Sequence, residues 1–448
     1  MYFRRIGAAG LKGGGRFWLV FSLMSLFGFS SIDTVLAQGE GLTIEEAVRL
    51  ALTRNERTQI ADEQRVAAEA RVKRARAFFF PDLTATGGYT RRGFDDGEEE
   101  GGRFGRDPNS LLGTITLDLS LFDARAFPLY RQAKHAHAAA RFSTEENKRL
   151  LAFEAADAFL RTLGVEQVQA AAERREAFAR ETLEDTRLRF EAKLVSSNDV
   201  TRAELELANA EREATQARAE TELARLQLGF LIVSEIRGPL VVPEGLLNPP
   251  QMGAPEQLVA EAQRRRLDLA AGREQTEALR AFAEEPSRRI IPILGLTGQF
   301  QQEAGSDAES QSREWLIGLN LTWLLYDGGE RQADRAERNA LARSSALEVA
   351  ATRRRVALDV RRALVDLESN RAATRQAATA AQMGQRNAEE VALLYGQGLA
   401  SALEVADANL QRFVAEVALV QARYGQGISH LNLRAALGFD PFGEEVVP

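Results

Sequence analysis

The chain has 448 residues, 27 % charged and 45 % hydrophobic, which excludes a disordered composition and leaves room for two or three ordinary domains or one very elongated one. Its formal net charge of −7 argues against nucleic acid as the main partner, since a phosphate-binding face leaves a basic excess; the run Arg353, Arg354, Arg355 reads as one solvated helix turn. It has no cysteine, which excludes disulfides, thiolate metal sites, cysteine nucleophiles and a lipid-modified N-terminal cysteine.

Residues 1–37 read as a secretory signal peptide. Arg4, Arg5, Lys12 and Arg16 form a basic start, FWLVFSLMSLFGF (Phe17–Phe29) an apolar stretch, and Val35 and Ala37 suit cleavage before Gln38. The apolar run falls short of the roughly 20 residues of a spanning helix, and no other stretch is apolar enough to span as one. Cleavage removes four positive charges and one negative (Asp33), leaving −10. The expected destinations are the periplasm, the outer membrane or the exterior.

The first predicted helix runs from Thr43 to about Ala77, its start marked by a capping box of Thr43 and Glu46. Two strands follow, Asp82–Thr90 and Leu111–Leu121, separated by the acidic, flexible-looking RRGFDDGEEEGGRFGRDPNS (Arg91–Ser110). In GTITLDLSLF (Gly113–Phe122), Ile115, Leu117, Leu119 and Leu121 alternate with polar residues, so the apolar side chains share one strand face. A very long helix comes next, about Phe127–Glu191, with Pro128 in its first turn, where the missing N–H costs nothing. A short turn leads to a last helix, about Asn198–Ile232.

The order then repeats. A helix from Glu256 to about Glu285, strands Ile293–Gln301 and Trp315–Leu325 around the loop Gln302–Arg313, a long helix Gly329–Leu394 and a last helix Ser401–Leu437 are expected. Three segment pairs carry the duplication at nearly constant offset: FPDLTATGGY with IPILGLTGQF, LFD with LYD, and RFEAKLVSSNDVTRAEL with LYGQGLASALEVADANL. The expected units are residues 42–235 and 256–438, with a Pro-rich linker at 236–255 and a tail at 439–448.

The last helices carry heptad seams. One is Val200, Ala203, Leu207, Ala210, Ala214, Ala217, Ala224 and Leu228, broken at Thr221; the other runs Leu403, Ala406, Leu410, Phe413, Val417, Val420, Tyr424, Gly427, Leu431. A helix of some 65 residues is about 100 Å long. The helices on either side are about half that, so two of them stacked end to end match the long one. Such lengths describe a rod or a tube wall.

All four strands alternate, with Leu83, Ala85, Gly87 and Tyr89 on one face and Trp315, Ile317, Leu319, Leu321 and Trp323 on another. Alternation alone favours a small soluble sheet laid with its apolar face on a helix. The export signal and helix lengths turn the balance toward a membrane β-barrel, with Trp315 and Trp323 in its aromatic girdles and the threonines and Asp118 facing a wet lumen. Four strands cannot close a barrel, so several protomers must pool theirs.

These residues resemble the TolC-like outer-membrane factor family over nearly the whole mature chain. The resemblance lies in GLTIEEAVRLALTRN (Gly41–Asn55), the strand exits LFD and LYDGG, and YGQGLASALEVADANLQ (Tyr395–Gln411) through LNLRAALG (Leu431–Gly438). It implies a mainly α fold with a small β part: long antiparallel coiled-coil helices forming a periplasmic tunnel, plus four strands per protomer in a trimeric, 12-stranded transmembrane barrel. It implies an exit duct in outer-membrane lipid, opened by a periplasmic adaptor and an inner-membrane pump, for efflux or type I secretion. By position, Glu404 and Asp407 resemble the family's acidic constriction rings, and Asp199 and Tyr395 members of the latch holding the tip shut. Ala400 departs from the pattern, since the well-studied members carry a latch arginine there. The tip turns Lys193, Leu194, Ser196 and Gly396, Gly398, Leu399, Ser401 resemble adaptor-docking tips; the first lacks the glycines of the second.

An enzyme, a cofactor or a metal site is not expected. His135 and His137 are two apart, on different sides of a helix, and no Gly-rich phosphate loop follows a strand. The competing class is a periplasmic coiled-coil scaffold or adaptor with a soluble sheet, which would stay soluble without detergent.

Overall fold

A computed structural model describes residues 41–91, 109–247, 253–305 and 311–446. The signal peptide and the centres of both acidic loops lie outside the described residues.

The first half contains α1 (Ile44–Arg54), α2 (Glu56–Ala77), β1 (Asp82–Arg91), β2 (Asn109–Phe122), α3 (Ala126–Glu191) and α4 (Ser197–Ile232). A short α5 (Glu244–Leu247) follows; then come α6 (Pro255–Arg265), α7 (Leu267–Arg288), β3 (Ile293–Gly305), β4 (Gln311–Thr322), α8 (Glu330–Gly396) and α9 (Ala402–Leu437). Both halves have the same element order.

Each predicted first helix is in fact two. Asn55 takes an extended conformation, its side chain accepts from the Arg57 N–H at 3.0 Å to cap α2, and its amide donates to the Leu231 carbonyl at 2.9 Å. Arg266 interrupts the second copy and pairs with Asp268 and Asp359. The Thr43/Glu46 box also forms only by half. Thr43 accepts from the Glu46 N–H at 3.2 Å, but the Glu46 carboxylate turns to Arg49, a longer-reaching charged partner. The second copy also runs past Glu285, with Pro286 in the last turn of α7.

Asn55 joins the end of α4 to the α1–α2 junction, so the half-length helices stack along α3. Thr144 of α3 donates to Ala61 of α2 at 3.0 Å, and Thr162 further along to Ala224 of α4 at 3.4 Å. On α8, Ser345 meets Thr276 of α7 at 2.9 Å and Thr374 donates to Ala422 of α9 at 3.0 Å. With 66 residues, α3 is about 100 Å long at 1.5 Å per residue.

The first seam is built as its alanines predict, with Ala203, Ala210, Ala214 and Ala217 buried against α3. Thr221, which breaks the apolar pattern, is buried too; its hydroxyl bonds to the Ala217 carbonyl at 3.0 Å. The second seam holds at Tyr424, Gly427 and Leu431 but not at its tipward end, where Leu403 is 52 % exposed and Val405 and Ala408 are buried instead. A straight α-helix drifts about 20° per heptad from a strict seven-residue repeat. Over the four heptads from Leu431 to Leu403 the predicted stripe rotates off the contact.

The largest core lies midway along the helices, where Phe159, Leu160 and Leu163 of α3 meet Ile44 and Val48 of α1 and Leu228 of α4. The described first part of the connecting segment, residues 236–247, packs onto the helices. Leu240, Leu246 and Leu247 are buried in that core, Leu240 bridges to Leu42, and Gln426 donates to the Leu247 carbonyl at 2.9 Å. The tail packs as well: Arg149, buried, donates to the Ala435 and Phe439 carbonyls.

Candidate functional site

The two helix-hairpin tips are built alike. Leu194 N–H bonds back to the Arg189 carbonyl at 2.9 Å, and Leu399 N–H to the Leu394 carbonyl at 2.8 Å. Both turns need a left-handed residue: Gly398 has φ 74°, and Lys193 adopts φ 64° at the same place without being glycine. Ser196 and Ser401 then cap α4 and α9 in full capping boxes. In the first box Asp199 accepts from the Ser196 N–H at 2.9 Å; in the second Glu404 accepts from the Ser401 N–H at 2.7 Å. These bonds from the serine backbone and hydroxyl groups hold the carboxyls of Asp199 and Glu404 below their ordinary range. Leu194, Leu399, Gly396 and Ser401 are all exposed at the tips or beside them, as is Leu403.

Glu404 and Asp407 are both on the first turns of α9, Glu404 exposed and Asp407 bonded along its own helix. Glu404 folds back on its cap, while Asp407 accepts from the Gln411 amide at 2.8 Å. Tyr395 and Asp199 are not brought into a bond with each other. Tyr395 instead meets the end of α3. The Arg189 guanidinium stacks 4.2 Å from its ring and donates to its carbonyl at 3.3 Å, and its hydroxyl lies 3.5 Å from that of Thr186. Arg189 and Thr186 carry no mark in the sequence that sets them apart. Arg189 stands inside the duplicated RFEAK motif, but pairing across two hairpins leaves no spacing signal.

Further from the tip a second tie crosses the hairpins. Arg175 of α3 is buried, pairs with Glu206 and Glu213 of α4, and lies 5.1 Å from the Phe413 ring of α9. Arg174 bonds Glu416 at 3.1 Å beside it. Between the two ties is a cavity of about 340 Å³, lined by Phe178 and Thr182 of α3, Leu205 and Asn209 of α4, and Leu403 and Asn409 of α9.

At the other end, the strands form one antiparallel sheet in the order β1-β2-β3-β4, with β1 and β4 as open edges. Its register sorts the faces. Ala85, Ile115, Phe300 and Trp315 stand in one row, Leu83, Leu117, Gly298 and Ile317 in the next, then Leu119, Leu296 and Leu319. Thr84, Thr116 and Gln299 align on the opposite face, beside a row of Asp82, Asp118 and Thr297. There Thr297 donates to Asp118 at 2.9 Å. Among the described residues no helix covers the apolar side: Trp315 is 73 % exposed and Leu319 65 %. Strand β4 ends at Thr322, earlier than its alternation predicts, because Trp323 turns to donate to the Ile290 carbonyl at 2.9 Å. Both long helices start from an aspartate at the strand exit. Asp123 accepts from the Arg125 N–H at 2.9 Å, and Asp327 from the Gly329 and Arg331 N–H groups at 3.2 Å. Burial pushes the Asp123 carboxyl up, but the bonds from Arg125 outweigh it and hold the group below its usual value.

Among the described residues no helix is long and apolar enough to cross a membrane, and no cluster of His, Asp and Glu is arranged to hold a metal. An open-edged sheet with one bare apolar face, joined to paired helices of about 100 Å, defines a channel-forming membrane protein.

The chain belongs to the outer membrane efflux protein family, whose model matches residues 47–232 and again 258–439. It is 24 % identical to the outer membrane protein TolC of Escherichia coli strain K12 over 440 residues, 93 % of this chain and 85 % of that protein. The fold matches the Campylobacter jejuni CmeC outer membrane channel with a TM-score of 0.78 at 18 % identity, covering 90 % of this chain and 86 % of that one. It also matches the open state of the Neisseria gonorrhoeae MtrE outer membrane channel, with a TM-score of 0.76 at 18 % identity over 90 % and 91 % of the two chains. The family is one of outer-membrane efflux channels, and it is not a known enzyme family.

Proposed function

We propose that this chain is one protomer of a homotrimeric exit duct. Three copies of the sheet close a twelve-stranded barrel in outer-membrane lipid, and the paired helices line a periplasmic tunnel. The duct is a passive conduit for efflux or type I secretion, opened at its tip by a periplasmic adaptor and an inner-membrane pump. The unpaired edges of β1 and β4 carry the proposal. In lipid an open edge leaves backbone groups without partners, each costing several kcal/mol, so the edges must meet those of other copies. A soluble scaffold would have to leave the apolar rows in water. Residues 42–235 and 256–438 act as the two pseudo-equivalent halves of the protomer, delivered by cleavage of residues 1–37.

At the tip, Glu404 and Asp407 of three protomers form an acidic, cation-favouring mouth. Tyr395 holds the mouth closed through Arg189, in place of the absent arginine at position 400, and Asp199 supports it by fixing the first tip turn. Lys193, Leu194, Ser196, Gly396, Gly398, Leu399 and Ser401 receive the adaptor.

The mass of the detergent-extracted protein by light scattering tests the assembly. Three protomer masses are expected; a monomer, or a protein that never needs detergent, sinks it. For the mouth, Glu404→Ala with Asp407→Ala is expected to lower cation selectivity and block by multivalent cations in planar bilayers. Unchanged selectivity would remove both residues from the mouth.

A further inference from the structure

The periplasmic end of the sheet carries an aromatic cluster that the duct itself does not use. Phe122 pairs with Leu294, which pairs with Leu321, so Phe122 ends a row of the apolar face. Its ring lies 6.5 Å from that of Phe127 in the first turn of α3. Phe127 is 5.5 Å from Phe79 at the end of α2, and Phe79 stands edge-on to Tyr130 at 6.2 Å. Phe79, Phe122 and Phe127 stay exposed although they touch one another. Together they continue the bare apolar face beyond the end of the strands.

Two cations border the cluster on the side away from the sheet. The Arg76 guanidinium lies 5.6 Å from the ring of Phe80, the exposed neighbour of Phe79 in the chain, and the Lys134 ammonium 5.9 Å from the Tyr130 ring of the cluster. Both are exposed, and neither pairs with a carboxylate among the described residues. Most other arginines on these helices do pair, as Arg131 does with Glu284. Arg76 precedes Phe79 by three residues and Lys134 follows Phe127 by seven, about 5 and 10 Å along their helices. The polar layer on each side of a bilayer's hydrocarbon core is of the same order, roughly 5–8 Å. Rings at the hydrocarbon boundary and unpaired cations one layer beyond meet acyl chains and phosphate in that order.

We propose that Arg76 and Lys134, set on this aromatic cluster, bind the phosphodiester headgroups of anionic phospholipid in the periplasmic leaflet. The proposal rests on the sheet spanning the outer membrane. The chain as a whole is acidic, so the preference for anionic lipid is local to this patch. Native mass spectrometry of the detergent-extracted protein, offered phosphatidylglycerol and phosphatidylcholine in equal amounts, tests it. The wild type is expected to retain phosphatidylglycerol in preference. Arg76→Gln with Lys134→Gln is expected to lose that preference, roughly fivefold for each cation removed. Arg76→Lys with Lys134→Arg is expected to keep it. Equal retention of the two lipids by the wild type, or an unchanged preference in the Gln pair, overturns the proposal. A wild-type chain that never enters the membrane fraction would overturn the spanning sheet, and this proposal with it.

Discussion

Leu319 lies on β4, four residues, or about 13 Å along the strand, from Trp315. Its row on the apolar face contains Leu119 and Leu296, and it is 65 % exposed. If that face meets lipid, Leu319→Arg places a charge in the hydrocarbon between its periplasmic boundary and its midplane, at a cost of about 1–3 kcal/mol per copy. Three copies bring this to roughly 3–9 kcal/mol per barrel, a large part of the whole stability of an ordinary domain. If the sheet were soluble, the same change at an exposed position would alter stability by only about 0.5 kcal/mol and would improve solubility. Asn320→Arg, one residue along on the opposite face, is the control, since its side chain enters the wet lumen and costs little. The assay is the amount of each variant in the outer-membrane fraction after density-gradient separation. Leu319→Arg is expected to be depleted and Asn320→Arg to match the wild type. Equal insertion of Leu319→Arg, or equal loss of both, would refute the assignment of faces.

At the tip, Arg189→Ala removes the stacking on Tyr395, a contact of about 1 kcal/mol for a partly exposed pair. A larger mean conductance in single-channel recordings is expected, with Tyr395→Leu giving the same change; unaltered conductance in both would remove the tie. Lys193→Gly relieves a left-handed lysine and is expected to stabilise the first tip by about 1 kcal/mol, seen as slower proteolysis at the tip. Gly398→Ala is expected to act in the opposite sense. His430 of α9 is buried against α5, and burial, then the charges of Arg434 and Arg371, lower its pKa to about 4. The unfolded chain therefore takes up a proton that the folded one refuses. Stability is full above pH 6.5 and falls by about 3 kcal/mol as pH drops through 4. Thermal unfolding in detergent between pH 7 and 4 is expected to show this fall, and His430→Leu to flatten it.

Much of the molecule was legible in the chain because it is built from long periodic elements. The bounds of α3, α4, α8 and α9 lie within one or two residues of those expected, since no proline intervenes beyond the first turn and alanine-rich seams repeat for many turns. The duplicated tip turns were visible in RFEAKLVSSND and LYGQGLASALE because their positions serve local needs. Each turn takes an αL residue, a capping serine and an acid at N3. What escaped were the breaks at Asn55 and Arg266. Local propensity favours an unbroken helix at both. The break at Asn55 is fixed by a bond to Leu231, 176 residues away. The partner of Tyr395 escaped for the same reason. Positional likeness placed Asp199 and Tyr395 in the tip latch without naming a partner for either; Asp199 bonds its own cap, and Arg189 reaches the Tyr395 ring.

The sequence by itself determined which residues are helical or extended, that the plan occurs twice, and which face of each strand is apolar. These properties depend on neighbours three, four or two residues apart, and such periods are written in the chain. Only the tertiary structure decided that the four strands lie in one open-edged sheet with their apolar rows aligned. It also decided that Leu240, Leu246 and Leu247 of the connecting segment are bound into the mid-helix core, and that the second seam turns off its contact toward the tip. Those outcomes depend on strand register and helix rotation summed over tens of residues and on side chains distant in sequence, and no local period records them.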